Sequence, residues 1–106
     1  MNETEFNARA EGTLAAIVRA LEASGANCDS EFKGDGVLEL EFEDGSKIIV
    51  NRHGPAREIW VAAKSGGYHF RLDGERWVNT RDGDELFAAL SRYVSKQSGS
   101  PVALSE

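Results

Sequence analysis

The stretch VLELEFEDGSKIIVN, residues 37–51, reads as a β-hairpin and decides the fold. Leu38, Leu40 and Phe42 alternate with Glu39, Glu41 and Glu43. A period of two buries one face of a strand and leaves the other in water. Ile48 and Val50 must share a face with Leu38 and Leu40, which demands an odd-numbered loop. A three-residue loop, Glu43-Asp44-Gly45, meets that demand and puts Gly45 at the left-handed bulge position. Leu40 then pairs with Ile48 and Leu38 with Val50 on the buried face. On the wet face Glu41 meets Lys47 and Glu39 meets Ile49, so an ion pair between Glu41 and Lys47 is expected.

Outward from the hairpin the period changes. Upstream, Phe6, Ala10, Leu14, Ile17 and Leu21 recur every three or four residues, forming the apolar stripe of a helix. Asn2 and Glu5 have capping-box spacing, and Gly25 is a natural C-terminal stop. Downstream, Gly54-Pro55 breaks the chain before a strand over residues 58–62. Ser65-Gly66-Gly67 reads as a turn, Tyr68 to Leu72 alternates, and Asp73-Gly74 turns the chain into a short strand around Trp77-Val78. Asp82 and Glu85 read as a second capping box, with Leu86, Leu90 and Val94 as the stripe of a closing helix. The predicted architecture is α+β: a helix, an antiparallel meander of about six strands and a second helix, with both helices on one face of the sheet. Residues 1–98 form the single domain, and 99–106, rich in Ser, Gly and Pro, are expected to be a flexible tail.

The chain has 106 residues, 41% hydrophobic and 28% charged, enough to bury one core and too apolar for a disordered chain. Its uncharged apolar runs fall far short of the ~20 residues of a membrane helix. The acidic start, Met1-Asn2-Glu3-Thr4-Glu5, argues against a signal or transit peptide. Cys28 is the only cysteine, so no internal disulfide forms and a reducing cytoplasm suits the chain. Net charge is −6, unevenly spread: residues 1–45 hold 11 acids and 3 bases, residues 46–106 hold 7 acids and 9 bases. An acidic chain is a poor match for nucleic-acid phosphates and a better one for cations or a basic partner.

Catalytic motifs are absent: no nucleophile elbow, phosphate-binding glycine loop or dinucleotide fingerprint. His53 and His69 lie on different elements, and one cysteine does not assemble a zinc site of the usual composition. Oxygen ligands remain, and they suit hard or borderline cations held weakly. Glu39 and Glu41, two apart on one strand face with Cα atoms ~6.7 Å apart, are one candidate pair. Glu11 and Glu22 share a helix flank but stand about 16 Å apart, too far to grip one ion. Trp60 has two placements. If Ile59 and Val61 face the helices, it lies on the open face as an interface anchor, with Asn51, His53, Arg57, His69 and Arg71 on the same side. If Ile59 is exposed, Trp60 is core. Cys28 reads as an incidental packed thiol.

Three stretches, FEDGSKIIVNR (42–52), EIWVAAKSGGYHF (58–70) and RDGDELFAALSRYV (81–94), resemble the bacterial frataxin family, the CyaY-type iron donors. The order of elements agrees along nearly the whole chain. The resemblance implies an α/β sandwich of two helices on an antiparallel sheet, and a non-enzymatic role in iron–sulfur cluster assembly. It implies weak, exchangeable binding of ferrous and ferric iron, no organic cofactor, and docking on the cysteine desulfurase–scaffold complex as iron donor or iron-dependent regulator. The family's acidic ridge maps onto Glu3, Glu11, Glu22, Asp29 and Glu31, and its sheet tryptophan and asparagine onto Trp60 and Asn51. Asn51, His53, Arg57 and Trp60 are thus the expected partner-binding set. The expected form is a cytoplasmic monomer with neither nucleic-acid nor membrane partners, and iron-driven oligomers are the alternative. This chain departs from the family where Val18, Arg19 and Ala23 replace acids of the first helix, so the ridge is thinned. The competing readings are a ferroxidase or oligomeric iron store, and a protein-binding adaptor with little iron affinity.

Overall fold

The computed structural model describes residues 1–106. The elements are α1 (Glu3–Ser24), β1 (Cys28–Phe32), β2 (Val37–Phe42), β3 (Lys47–His53), β4 (Glu58–Ala63), β5 (Gly66–Asp73), β6 (Arg76–Asn79) and α2 (Leu86–Ser98). The six strands form one antiparallel sheet whose spatial order follows the chain. None of the helices is long and apolar enough to cross a membrane.

Local chemistry sets the ends of α1. The Asn2 side chain accepts the Glu5 backbone N–H at 2.8 Å, and the Glu5 carboxylate accepts the Asn2 N–H at 3.1 Å. Two donors that the helix cannot satisfy internally are thereby bonded. Gly25 ends the helix with φ +71°, a left-handed conformation that glycine adopts without a Cβ penalty.

The β2–β3 hairpin has the register expected from its alternation. Leu40 pairs with Ile48, Leu38 with Val50, Glu41 with Lys47 and Glu39 with Ile49. Phe42 N–H donates to Ser46 O, Gly45 N–H donates to Phe42 O, both at 2.9 Å, and Gly45 sits at φ +85°. The expected ion pair is displaced by one step along the strand. The Lys47 ammonium reaches diagonally to Glu39 at 3.5 Å, and Lys33 approaches the same carboxylate at 3.8 Å. Glu41 instead stands opposite Asp29 of β1. A diagonal neighbour is within reach of a long side chain, and Glu39 is the better-enclosed carboxylate.

The buried face of the sheet meets both helices in one core of 23 residues. Phe6, Leu14 and Ile17 from α1, and Leu86, Leu90 and Val94 from α2, pack against Leu38, Leu40, Ile48, Val50, Ile59, Val61 and Phe70. One polar bond crosses this layer: Trp77 Nε1 donates to Thr13 Oγ1 at 2.9 Å.

Two expectations at the C-terminal end are corrected. Helix α2 is capped by Glu85 itself, whose carboxylate accepts the N–H groups of Phe87 and Ala88 at 2.9 and 3.2 Å. Asp82 closes a local turn by accepting the Asp84 N–H at 2.9 Å. A bridge between Val78 and Glu85 holds this segment beside β6, so the helix does not begin a turn earlier. Residues beyond Gly99, expected to be free, lie along α2. Ser95 Oγ accepts the Val102 N–H and Ser91 Oγ the Leu104 N–H, both at 2.8 Å, and the Leu104 side chain is buried. Ser98 to Pro101 make the bend, and Val102 and Leu104 supply the apolar contact that their composition hides.

Candidate functional site

Strand β1 is an edge strand whose register divides its side chains. Cys28, Ser30 and Phe32 pair with Phe42, Leu40 and Leu38 on the helix side, so Asp29 and Glu31 project from the outer face. There Glu31 stands opposite Glu39, and Asp29 opposite Glu41. Directly opposed carboxylates repel. The first pair is relieved by cations, because Lys33 lies 3.1 Å from Glu31 and 3.8 Å from Glu39, with Lys47 at 3.5 Å from Glu39. Its hydrogen bond to Glu31, then the charges of Glu31 and Glu39, hold the Lys33 ammonium above its usual range. The Asp29–Glu41 pair has no cation within ion-pairing distance. Beside it, burial and then the charge of Asp29 push the Cys28 thiol up, so it stays protonated at neutral pH and is a poor metal ligand.

The other expected ridge residues lie apart. Glu3 is exposed in the first turn of α1 and Glu22 in the last. Glu11, between them, is ion-paired at 2.5 Å with Arg52, which reaches across from β3. At 1.5 Å per residue Glu3 and Glu22 are about 28 Å apart, so Glu3, Glu11, Glu22, Asp29 and Glu31 do not converge on one point. No group of three or more His, Cys, Asp or Glu side chains is placed to hold one ion.

The second region is the outer face of β3, β4 and β5. Ile59 and Val61 are buried against the helices, which puts Trp60 on the outer face, half-buried, and resolves its two placements. Asn51 stands directly opposite it on β3 and His69 on β5. The indole is sandwiched: His53 stacks on one side with ring centroids 3.7 Å apart, and His69 on the other at 4.4 Å. Glu58 locks the arrangement. Its Oε1 accepts the Trp60 indole N–H at 2.8 Å and lies 3.6 Å from His69 Nδ1. His53 Nδ1 accepts the Ala56 N–H at 3.2 Å, which fixes that ring's orientation.

Of the expected partner-binding residues, Asn51, His53 and Trp60 are therefore brought together. Arg57 is not among them. Held at φ +55°, it donates to Gly54 O at 2.6 Å and lies 5.8 Å from the centroid of the Phe6 ring, at the end of the molecule. His69 lies on the Trp60 side as expected, but the role of Glu58 and the direct pairing of His69 with Trp60 escape the sequence, because the β4–β5 turn is shorter than it reads. Ala63 pairs with Gly66, so the loop is Lys64-Ser65, and Gly66 and Gly67 belong to β5. A three-residue turn over Ser65-Gly66-Gly67 sets Leu72 opposite Trp60, and the two-residue loop sets His69 there.

Comparison with known proteins places this geometry among others. Residues 1–100 match the model of the frataxin-like domain family. The chain is 56% identical over 104 residues to the iron–sulfur cluster assembly protein CyaY of Dechloromonas aromatica, covering 98% of this chain and 99% of that one. It is also 56% identical over 110 residues to the same protein of a Janthinobacterium species, covering 100% and 98%. Among solved structures, the frataxin of Psychromonas ingrahamii superposes with a TM-score of 0.92 at 35% identity over 100% of both chains. A trimeric frataxin from the yeast Saccharomyces cerevisiae, complexed with ferrous iron, superposes with a TM-score of 0.72 at 31% identity over 86% of each.

Proposed function

This chain belongs to the frataxin-like family, and from that premise we propose that it is a non-catalytic, cytoplasmic protein of iron–sulfur cluster assembly. It takes up iron weakly on its acidic edge and docks as a monomer on the cysteine desulfurase–scaffold complex through the Trp60 face. Iron is cargo here, and the relatives' shared name supports the pathway. The observation that carries the iron assignment is the Asp29–Glu41 pair, two opposed carboxylates with no cation between them. An incoming cation relieves their repulsion. A pair of surface oxygen ligands without thiolate or imidazole holds ferrous or ferric iron loosely enough to give it up. Glu31 is already shared with Lys33, and Glu11 with Arg52, so they contribute less. Glu3 and Glu22 extend the negative field along α1, which attracts both cations and a basic partner at a strength that falls with salt.

The partner face follows separate logic. An indole held rigid between two imidazoles and a carboxylate loses little entropy on docking, which is how tryptophan serves as an interface anchor. Asn51 beside it offers an amide for hydrogen bonding.

The test is an NMR titration of the metal-free protein, first with ferrous iron under anaerobic conditions and then with purified cysteine desulfurase. Iron is expected to broaden Asp29 and Glu41 first, and the desulfurase to shift Asn51, His53 and Trp60. Desulfurase shifts without any iron response make the protein an adaptor, a reading that the engagement of Glu11 by Arg52 favours. Oxygen consumption with ferrous iron in excess over protein makes it an iron oxidase.

A further inference from the structure

A cleft of about 530 Å³ opens where the N-terminal end of α1 meets the β3–β4 loop and β5. Its accessible apolar wall is the exposed Met1 and the half-buried Leu72, above the buried Phe6, and three guanidinium groups line it: Arg9, Arg57 and Arg71. In a chain of net charge −6 such a concentration of arginine stands out. Arg9 is shared at 3.4 Å with Glu75, a carboxylate that is 92% exposed. Arg57 and Arg71 take part in no ion pair.

The one carboxylate in the cleft is Glu58, directly opposite Arg71 in the β4–β5 register. It does not neutralise Arg71, because Trp60 N–H and His69 draw its Oε1 toward the tryptophan stack. Arg57 is likewise kept from it: a left-handed backbone and the bond to Gly54 O set its guanidinium beside the Phe6 ring. The cleft thus presents fork-shaped donors lacking anionic partners beside an apolar wall, and it adjoins the Trp60 face through Glu58.

We propose that this arginine cleft seats an acidic segment of the protein partner that docks on Trp60, with its carboxylates on Arg57 and Arg71 and an apolar side chain against Met1 and Leu72. Guanidinium forks match carboxylates bidentately, and the apolar wall favours a peptide over a bare anion. The proposal rests on the docking role assigned to the Trp60 face. It adds a direction to it: the acidic edge at β1 meets a basic patch, and the arginine cleft at the far end of the sheet meets an acidic one, so the partner docks in one orientation.

Fluorescence anisotropy with a labelled peptide of alternating Glu and Leu tests the cleft alone, and binding to the purified desulfurase–scaffold complex tests it in place. The peptide is expected to bind, and its Gln-for-Glu counterpart is not. Arg57→Gln/Arg71→Gln is expected to weaken both the peptide and the complex about tenfold, each exposed pair contributing a few-fold. Asn51→Ala, on the docking face and outside the cleft, weakens the complex and leaves the peptide unchanged. Equal binding of wild type and the double arginine variant in both assays overturns the proposal, while a loss in Asn51→Ala alone keeps the docking role. If the complex binds none of these proteins, the docking role falls, and retention of arginine-dependent peptide binding supports an acidic partner of another kind. Tricarballylate binding more tightly than the peptide overturns the assignment to a protein segment.

Discussion

Arg52 of β3 holds Glu11 of α1 at 2.5 Å, so a carboxylate that the family resemblance assigns to iron is engaged by a cation of its own chain. The side chain of Arg52 runs over Gly36 in the β1–β2 connection, and its backbone N–H donates to Gly36 O at 2.9 Å. One arginine therefore ties the first helix, the sheet and the edge connection together.

Releasing Glu11 should strengthen iron binding at that end. Arg52→Met keeps the methylene stem over Gly36 and removes the charge. A partly exposed ion pair is worth ~0.5–1 kcal/mol, so ferrous affinity at Glu11 is expected to rise about two- to fivefold. Anaerobic calorimetry, with Glu11→Gln/Arg52→Met as the reference, checks this. Identical isotherms for Arg52→Met and that reference would remove Glu11 from the iron-binding surface.

Gly36 is expected to tolerate no side chain. Its φ is +73°, and a Cβ there meets Arg52 Cγ at 2.5 Å and Cδ at 2.8 Å. Gly36→Ala combines left-handed strain with displacement of the arginine, and is expected to cost about 1–3 kcal/mol in urea unfolding. Gly12, with open space around its Cβ position and an exposed helical site, is the control: Gly12→Ala should stabilise by about 0.5–1 kcal/mol.

The bond from Trp77 Nε1 to Thr13 Oγ1 is buried, and Thr13 in turn donates to Arg9 O at 3.0 Å. Thr13→Val keeps the shape and leaves the indole N–H without an acceptor, an expected loss of about 1–3 kcal/mol. Thr13→Ser should recover most of it. Equal stability of the Val and Ser variants in a denaturant titration would mean the bond contributes nothing.

How much of this was legible in the sequence depends on how local the signal was. The β2–β3 hairpin could be registered because an alternating pattern, a loop parity and a glycine all constrain the same few residues. Helix α1 carried its own caps. Strand β1 alternates over Cys28-Asp29-Ser30-Glu31-Phe32, but none of these residues is buried, so the strand has no apolar signature and the opposition of Asp29 and Glu41 was invisible without the register. The Trp60 sandwich depended on whether Gly66 belongs to a turn or a strand, and glycine is silent on that point. The engagement of Glu11 by Arg52 joins residues 41 positions apart, which no spacing rule reaches. The family resemblance indicated which residue types matter; only the fold showed which carboxylates are already taken.

The two opposed carboxylate pairs on the edge should behave differently toward iron. Asp29→Asn and Glu41→Gln are each expected to lower ferrous affinity several-fold, because each leaves a single carboxylate in place of a pair. Glu31→Gln should change it less, since Lys33 already shares that charge. The order of effects in an anaerobic titration is the check. A larger loss in Glu31→Gln than in Asp29→Asn would move the site to the lysine-bridged pair.

Tyr93 gives the fold a dependence on alkaline pH. Its ring stacks on Tyr68 with centroids 4.5 Å apart, and burial first, then the neighbouring Tyr68, pushes its phenol up to about 12. An unfolded tyrosine loses its proton near ~10. The folded state therefore holds this proton to higher pH than the unfolded one. The stabilisation is fully present below about pH 10 and is lost as pH rises through about 12. Tyr93→Phe keeps the ring in the stack and removes the ionisation. The thermal midpoint of the wild type should fall more steeply than that of the variant across this window. Parallel curves would show that another group carries the alkaline transition.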